Sequence, residues 1–442
     1  DAPDIESHRP VGPEIALNLA IDIPGDITMP YTRSTLLVAE LFKASAAILL
    51  ASIAVMISAF NSIQAASAQG PPPPPPPPPR FGEPLAGLTA TQIAGFNSGK
   101  AEFTAREAPG DGLGPIFNRD SCVACHGGPV VGGSSNITAT RFGRVTNGVF
   151  DPLTSLGGSL LQERAISQDA LERVPNQANV TALRQTTALF GLGLIEAIPD
   201  STILKGVRTK AVDGVLGKAC LVTDVASGKT MVGRFGWKAQ QATLLAFAGD
   251  AYLNEMGITN RLFPTENAPN GNTNLLARLD KVKDPEDRPD PKTGRAGIDI
   301  LAAFMRFLAS PLTQPGSAST AFGAKFFLQV GCTNCHTPAM TTGTGPVAAL
   351  NSQTVMLYSD LLLHDMGALG DGIVQGNAGP REMKTPPLWG VRASAPYLHD
   401  GRAKTLDDAI RAHDGEGKLS RDKYLKLAPD QQKLLVEFLN SI

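Results

Sequence analysis

The stretch NRDSCVACHGG at residues 118–128 has a counterpart in QVGCTNCHTPA at 329–339. Each holds two cysteines separated by two residues and followed at once by a histidine, giving the pentads Cys122–His126 and Cys332–His336. Two thiols at that spacing can form thioether bonds to the two vinyl groups on one edge of a haem, and the adjacent histidine then lies beneath the iron. A zinc site would need four ligands at one ion, and a histidine directly after each cysteine pair would be coincidental twice. A thioredoxin-like pair would precede a helix in a parallel fold, and no such pattern is visible. The sequence therefore predicts two covalently bound c-type haems, attached through Cys122, Cys125, Cys332 and Cys335, with His126 and His336 on the irons. Of the five cysteines only Cys220 is left over, and it reads as a small buried apolar residue.

Outward from the pentads, 442 residues suffice for two or three domains with full cores. Lys and Arg number 39 against 41 Asp and Glu, so the charge balance gives nucleic-acid binding no support. With 45 glycines and 35 prolines the chain should be rich in loops. The first methionine is Met29, and residues 1–28, His8 included, are assigned no function. Arg33 and Lys43, then the apolar run ASAAILLASIAVMISAF (44–60), then AASA (65–68), form a charged start, an apolar middle and a small-residue exit. That is the pattern of a secretory signal, with an uncleaved membrane anchor as the alternative. It places the protein in the periplasm. Nine prolines, Pro71–Pro79, make a stiff extended spacer.

The expected organisation is an extension plus signal over 1–68, a linker over 69–80, an N-terminal haem domain over 81–315 and a C-terminal haem domain over 316–442. The fold class expected is mainly α: two cytochrome-c-like haem domains with long loops and a small β-hairpin. Helical periodicity marks 89–107, 237–257, 297–311 and the C-terminal APDQQKLLVEFLNSI, the last capped by Asp430, with a short helix from Ser201 capped by Asp200. ACLVTDVASGKTMVGRFG alternates apolar and polar residues about a turn and reads as the hairpin. GKAEF before the first pentad is echoed by GAKFF before the second. Distal ligands decide between carrier and enzyme. Beyond His8 and the pentads the histidines are His364, His399 and His413, none of them between His126 and His336, and methionines are also available.

The last 90 residues resemble the bacterial di-haem cytochrome c peroxidases, through LYSDLLLHDMGALGDG (357–372) and MKTPPLWGVRASAPYLHDGRAKTLDDAI (383–410). DGLGPIFNRDSCVACH, LFGLGLIEAIPD, GRFGWKA and the His-Asp-Gly segment are closer still to a sister group, the di-haem oxidoreductases once labelled thiol oxidoreductases. The resemblance spans roughly 81–442 and assigns roles. It implies His413, fourteen residues after His399, as the distal ligand of the second haem, where the peroxidases usually have methionine. It implies Trp237 as the tryptophan between the haems, Glu255 as the acid–base residue over the open iron, with Gln241 a weaker candidate, and His399 at the first haem or between domains. His364 reads as a satisfied structural histidine. The stretch GGPVVGGSSNITATRF lacks the peroxidases' removable distal histidine, which would leave the first haem open unless a methionine or a distant histidine caps it. Gly191 stands where their calcium-binding asparagine would be, which argues against calcium, although Ser394 and Pro396 could still offer carbonyls.

The resemblance implies a peroxidase-like oxidoreductase fed by a small redox protein or a quinol-linked cytochrome, with hydrogen peroxide or a related oxidant as substrate. Thiol oxidation finds no supporting residues. A non-catalytic di-haem electron carrier is the competing reading, and it requires both irons to be six-coordinate.

Overall fold

A computed structural model describes residues 80–442. The signal, the anchor alternative and nearly all of the proline linker lie outside the described residues. Among those described, no helix is long and apolar enough to cross a membrane.

The architecture is mixed helix and sheet rather than mainly α. Ten α-helices are present among the described residues: α1 (Ala90–Thr104), α2 (Leu192–Glu196), α3 (Asp200–Leu204), α4 (Leu244–Met256), α5 (Thr273–Leu279), α6 (Gly297–Phe307), α7 (Ala318–Gln329), α8 (Leu406–Arg411), α9 (Lys418–Leu425) and α10 (Pro429–Ser441). Short strands β1 (Ile116–Phe117) and β5 (Arg164–Ala165) pair antiparallel, and the expected hairpin is there, as β7 (Leu221–Thr223) against β8 (Thr230–Val232), with Cys220 at its start buried. Unexpected is a sheet centred on β2 (Thr138–Thr146), which pairs antiparallel with β3 (Val149–Asp151), β4 (Leu160–Leu161) and β6 (Val180–Gln185). Its first hairpin turns at Asn147-Gly148, both at positive φ (51° and 79°), the conformation that matches the strand twist and that Asn-Gly adopts most readily.

Several helix ends fall elsewhere than expected. The helix expected from Trp237 starts only at Leu244, because Thr243 caps it by accepting from the Ala246 N–H and Phe235 bridges Gln241 upstream. The helix expected to run to Pro311 stops at Phe307, where Phe307 O accepts from Leu85 N and Ala309 N donates to Glu83 O. Asp200 does not cap α3; its carboxylate takes the Val232 N–H and pairs with Arg234. Asp430 lies in the first turn of α10, behind Ala428 and Pro429, where its charge suits the helix dipole.

Two helix pairs carry the pentads, and they use the same packing device. Against α1, α6 comes so close that a Cβ on Gly99 would lie 2.5 Å from Ile300 O and 2.6 Å from the Phe304 Cβ. Against α7, α10 comes so close that a Cβ on Gly323 would lie 2.1 Å from Leu434 O and 2.6 Å from the Phe438 Cβ. Four residues on, the matched phenylalanines reach the matched histidines: Phe103 stands edge-on to His126 at 6.0 Å, and Phe327 lies 6.4 Å from His336. Phe304 and Phe438 close the clusters at 4.9 and 5.3 Å. The repeated Gly-x-x-x-Phe is thus a backbone approach plus an aromatic wall beside each pentad. One core cluster gathers around α1, α4 and α6 and also takes in Met340, Leu350 and Leu357; a second gathers around Phe327, Tyr424, Leu435 and Phe438.

Candidate functional site

Each pentad begins as a single 3₁₀ turn, Cys122–Ala124 and Cys332–Asn334. The turn brings the histidine N–H back onto the first cysteine's carbonyl, at 3.0 Å for His126 and 2.9 Å for His336. All four cysteines are free. Burial pushes the Cys122 and Cys332 thiols up to about 12, which disfavours the thiolates that zinc binding or disulfide exchange would use. His126 donates from Nδ1 to Thr187 O (2.9 Å) and to Gly133 O (3.2 Å), and His336 donates from Nδ1 to Tyr358 O (3.0 Å). Carbonyls only accept, so the proton sits on Nδ1 and the Nε2 lone pair is free for a metal. Burial pushes both imidazoles down to about 4, for His336 with help from His413. Both are therefore neutral at neutral pH, as ligation requires.

His413 follows α8 and donates from Nδ1 to Ala409 O at 2.8 Å, which again leaves Nε2 free. Its ring centroid is 6.5 Å from that of His336. An iron with bonds of ~2 Å to both Nε2 atoms would hold two imidazole centroids about 6 Å apart, so the pair fits a six-coordinate metal. A cavity of ≈300 Å³ opens beside them, lined by Cys332, Cys335, His336, His413, Trp237 and His399 among others. Paired neutral imidazoles, adjacent thiols and a largely apolar cavity are the donor set a c-type haem takes, and the residues present fit that group.

His364, read from the sequence as structural, is buried in a clamp around this cavity. Its Nε2 bonds Asp360 Oδ2 at 2.9 Å and its Nδ1 bonds Glu416 Oε2 at 2.7 Å, with Cys335 Sγ 3.6 Å away. Burial opposes its charge, but Asp360, Cys335 and Glu416 together outweigh that and raise His364 to about 12. The imidazolium thus ties Glu416, three residues past His413, to Asp360, whose N–H donates to Cys335 O at 2.9 Å. With Asp360 and Glu416 both engaged, the Cys335–Asp360–His364 group has no free ligand set for a metal of its own.

Trp237 lines the cavity beside the second pentad. Its indole N–H donates to Gln185 O at 2.9 Å, and two residues along, Thr187 O holds His126. The His399 ring is buried edge-on to Trp237 at 6.3 Å, and its backbone carbonyl accepts from Gln185 N at 2.6 Å. The residue next to Trp237 anchors the arrangement. Lys238 pairs with Asp371 at 2.9 Å, and Asp371 also pairs with Arg184 of β6 at 2.8 Å; the three side chains are 0%, 0% and 7% exposed. Burial works against Asp371's charge, but Arg184 and Lys238 outweigh it and hold the carboxyl below its usual range. Removing one member of such a buried network costs about 3–5 kcal/mol, because a charge is left unpaired. No sequence pattern signalled this triad, since its members come from three distant segments.

On the side of the first pentad, Glu255 is on α4 and close enough to Cys125 for its charge to oppose thiolate formation there, though less than burial does. Its Oε2 accepts from Asn118 Nδ2 at 2.7 Å, and its backbone carbonyl takes the Asn118 N–H, also at 2.7 Å. Five residues earlier on the same helix is Asp250, which the sequence reading passed over. Burial, with Glu255 adding to it, pushes Asp250 up to about 6 against the opposing pull of Arg141, Asn254 and Gln241. Asn254 Nδ2 donates to its Oδ1 at 3.0 Å. The available signal was a lone carboxylate inside the apolar run Leu244–Leu253. Gln241, ranked low for its spacing to Glu255, is thereby placed against Asp250.

Residues 161–442 match the sequence profile of the family described as "Di-haem oxidoreductase, putative peroxidase". The chain belongs to the di-haem oxidoreductase family, which implies two haems and an enzyme of peroxidase-like type. Solved structures similar to it include the hydrazine synthase of Kuenenia stuttgartiensis (15% identity, TM-score 0.37, covering 83% of this chain and 95% of that one). Another is a MauG-like protein associated with microbial copper homeostasis (15%, 0.38, 84% and 95%). A third is a variant of the diheme peroxidase BthA from Burkholderia thailandensis (13%, 0.37, 80% and 86%). No curated protein matched the sequence.

Proposed function

We propose that this chain is a periplasmic, peroxidase-like enzyme built from two cytochrome-c-like modules, 81–315 and 316–442, each carrying one covalently attached c-type haem. Electrons from a small redox protein or a quinol-linked cytochrome enter at His336, pass the Trp237 region and reach His126, where hydrogen peroxide or a related oxidant is reduced. When bound, the haems supply redox-active iron at both positions and, at the first, a coordination site for the oxidant.

The observation that carries this reading is an asymmetry. The His336 ring faces His413 at 6.5 Å. Among the described residues, the aromatic ring against His126 is that of Phe103, while His399 packs on Trp237 and His364 bonds Asp360. A six-coordinate site suits electron storage, and an open one suits substrate.

Reduction of one peroxide to two waters takes two electrons and two protons. Asp250, ionised above about 6, would take up and give back a proton at its carboxylate, as a general base and then a general acid. Glu255, fixed by Asn118, holds the adjacent negative charge that keeps Asp250 basic. Gln241 orients the Asp250 carboxylate. Trp237 and His399 form part of the apolar wall of the cavity at the second pentad.

Anaerobic reaction of the fully reduced protein with hydrogen peroxide tests the proposal. One peroxide should reoxidise both irons of one chain rapidly, with two electrons consumed per peroxide. Reoxidation no faster than that of a six-coordinate carrier cytochrome would favour the electron-carrier reading and overturn this one.

A further inference from the structure

Away from both pentads, three carboxylates converge beyond the C-terminus of α4. One ligand oxygen from each of Glu266, Asp284 and Glu286 lies within 4.8 Å of the others. Thr259, fully buried, bridges two of them: its hydroxyl is 2.8 Å from Asp284 Oδ1 and also bonds Glu286 Oε2, which takes the Thr259 N–H at 2.8 Å. One hydroxyl proton cannot serve both carboxylates at once.

Glu266 is the telling member. Its side chain is buried, its Oε1 has only a long 3.3 Å bond from Asn267 N, and its Oε2 has neither solvent nor any hydrogen-bond partner. An orphaned carboxylate oxygen in the interior costs several kcal/mol unless something positive meets it. Among the described residues no lysine or arginine forms an ion pair with any of the three, and the Arg288 guanidinium is taken up by Pro285 O and Lys283 O.

We propose that Glu266, Asp284 and Glu286, with the Thr259 hydroxyl, bind a calcium ion. The donors are all hard oxygens with no nitrogen or sulfur among them, which suits calcium over zinc or copper. Three carboxylates can supply up to six oxygens, and opposite ligands of an ion with ~2.4 Å bonds stand roughly 5 Å apart, a span that the 4.8 Å cluster fits. This is not the position at Gly191 that the family resemblance pointed to.

The ion would join two helices of the first module. Thr259 follows Gly257, the cap of α4, the helix of Asp250 and Glu255. Asp287, next to Glu286, accepts from Gly297 N (2.6 Å) and Ile298 N (3.1 Å) at the start of α6. Calcium would therefore lock the end of the helix that carries the acid–base residues to the helix that packs against α1. The proposal stands independently of the peroxidase reading.

The test uses the full-length holoprotein, treated with chelator and titrated calorimetrically with calcium chloride. One ion should bind per chain, and a hundredfold excess over Kd should raise the unfolding midpoint by about 3 °C or more. Glu266→Gln and Asp284→Asn should each weaken binding at least tenfold. Glu266→Gln keeps the side-chain shape and removes the buried charge, so without calcium its midpoint should be no lower than that of the parent; this separates lost binding from misfolding. No uptake by the parent protein at millimolar calcium, or uptake undiminished in both variants, would overturn the proposal.

Discussion

Replacing His413 with glycine is expected to convert one of the two haems from low-spin to high-spin while leaving the other unchanged. The His336 and His413 centroids are 6.5 Å apart, each ring is held by its Nδ1 on a backbone carbonyl, and both Nε2 atoms are unpartnered. Deleting one imidazole removes a whole axial ligand, so the change should be complete at that site. The fold should tolerate it: His413 follows α8 in a loop whose far end is pinned by Glu416 on His364, and the glycine keeps that clamp. Exogenous imidazole should enter the vacated space and restore the low-spin spectrum. An unchanged ferric spectrum in the variant would remove His413 from the coordination sphere, and with it the assignment of this site as the electron-storing one.

Asp250→Asn should lower peroxide turnover by at least ~10²-fold, the usual contribution of a positioned acid–base group, with covalent haem content unchanged. Asparagine keeps the hydrogen bond from Asn254 but cannot move a proton. The pH profile carries the more specific signature. Burial places the Asp250 carboxyl at about 6; the ionised form is the base, so turnover should fall as pH drops through about 6 and level off above it. In the asparagine variant that acidic limb should vanish. Glu255→Gln should also slow turnover and should shift the same limb downward, since loss of the neighbouring negative charge makes Asp250 more acidic. Unchanged turnover in both variants would remove α4 from the chemistry.

How much of this was legible in the sequence depends on the distance over which each feature is encoded. The pentads are five residues long, and their chemistry is local. The Gly-x-x-x-Phe echo before each one was also readable, and it corresponds to the close approaches at Gly99 and Gly323. The β2–β3 hairpin was readable too, since RVTNGVFD places Asn-Gly between apolar residues, but the glycine-rich stretch before it drew the reading toward loop. Trp237 was placed on a helix because its neighbours are apolar at helical spacing; the Thr243 cap and the Phe235–Gln241 bridge overrode that periodicity. The Arg184–Asp371–Lys238 triad and the His364 clamp could not have been read at all. The triad pairs charges across segments far apart in sequence, and the clamp adds the distant Glu416 to the local Asp360–His364 pair. Asp250 lies between these cases, visible as a lone carboxylate in an apolar helix yet given a role only once Gln241 and Arg141 are seen to act on it.

The most direct measurement is the electron paramagnetic resonance spectrum of the purified ferric protein, with haem content determined on the same sample. Two covalently held haems per chain are expected, one low-spin with the signature of two imidazole ligands and one high-spin with an open position. Two low-spin haems that stay low-spin through reduction and peroxide addition would contradict the account, because no site would then be open to substrate.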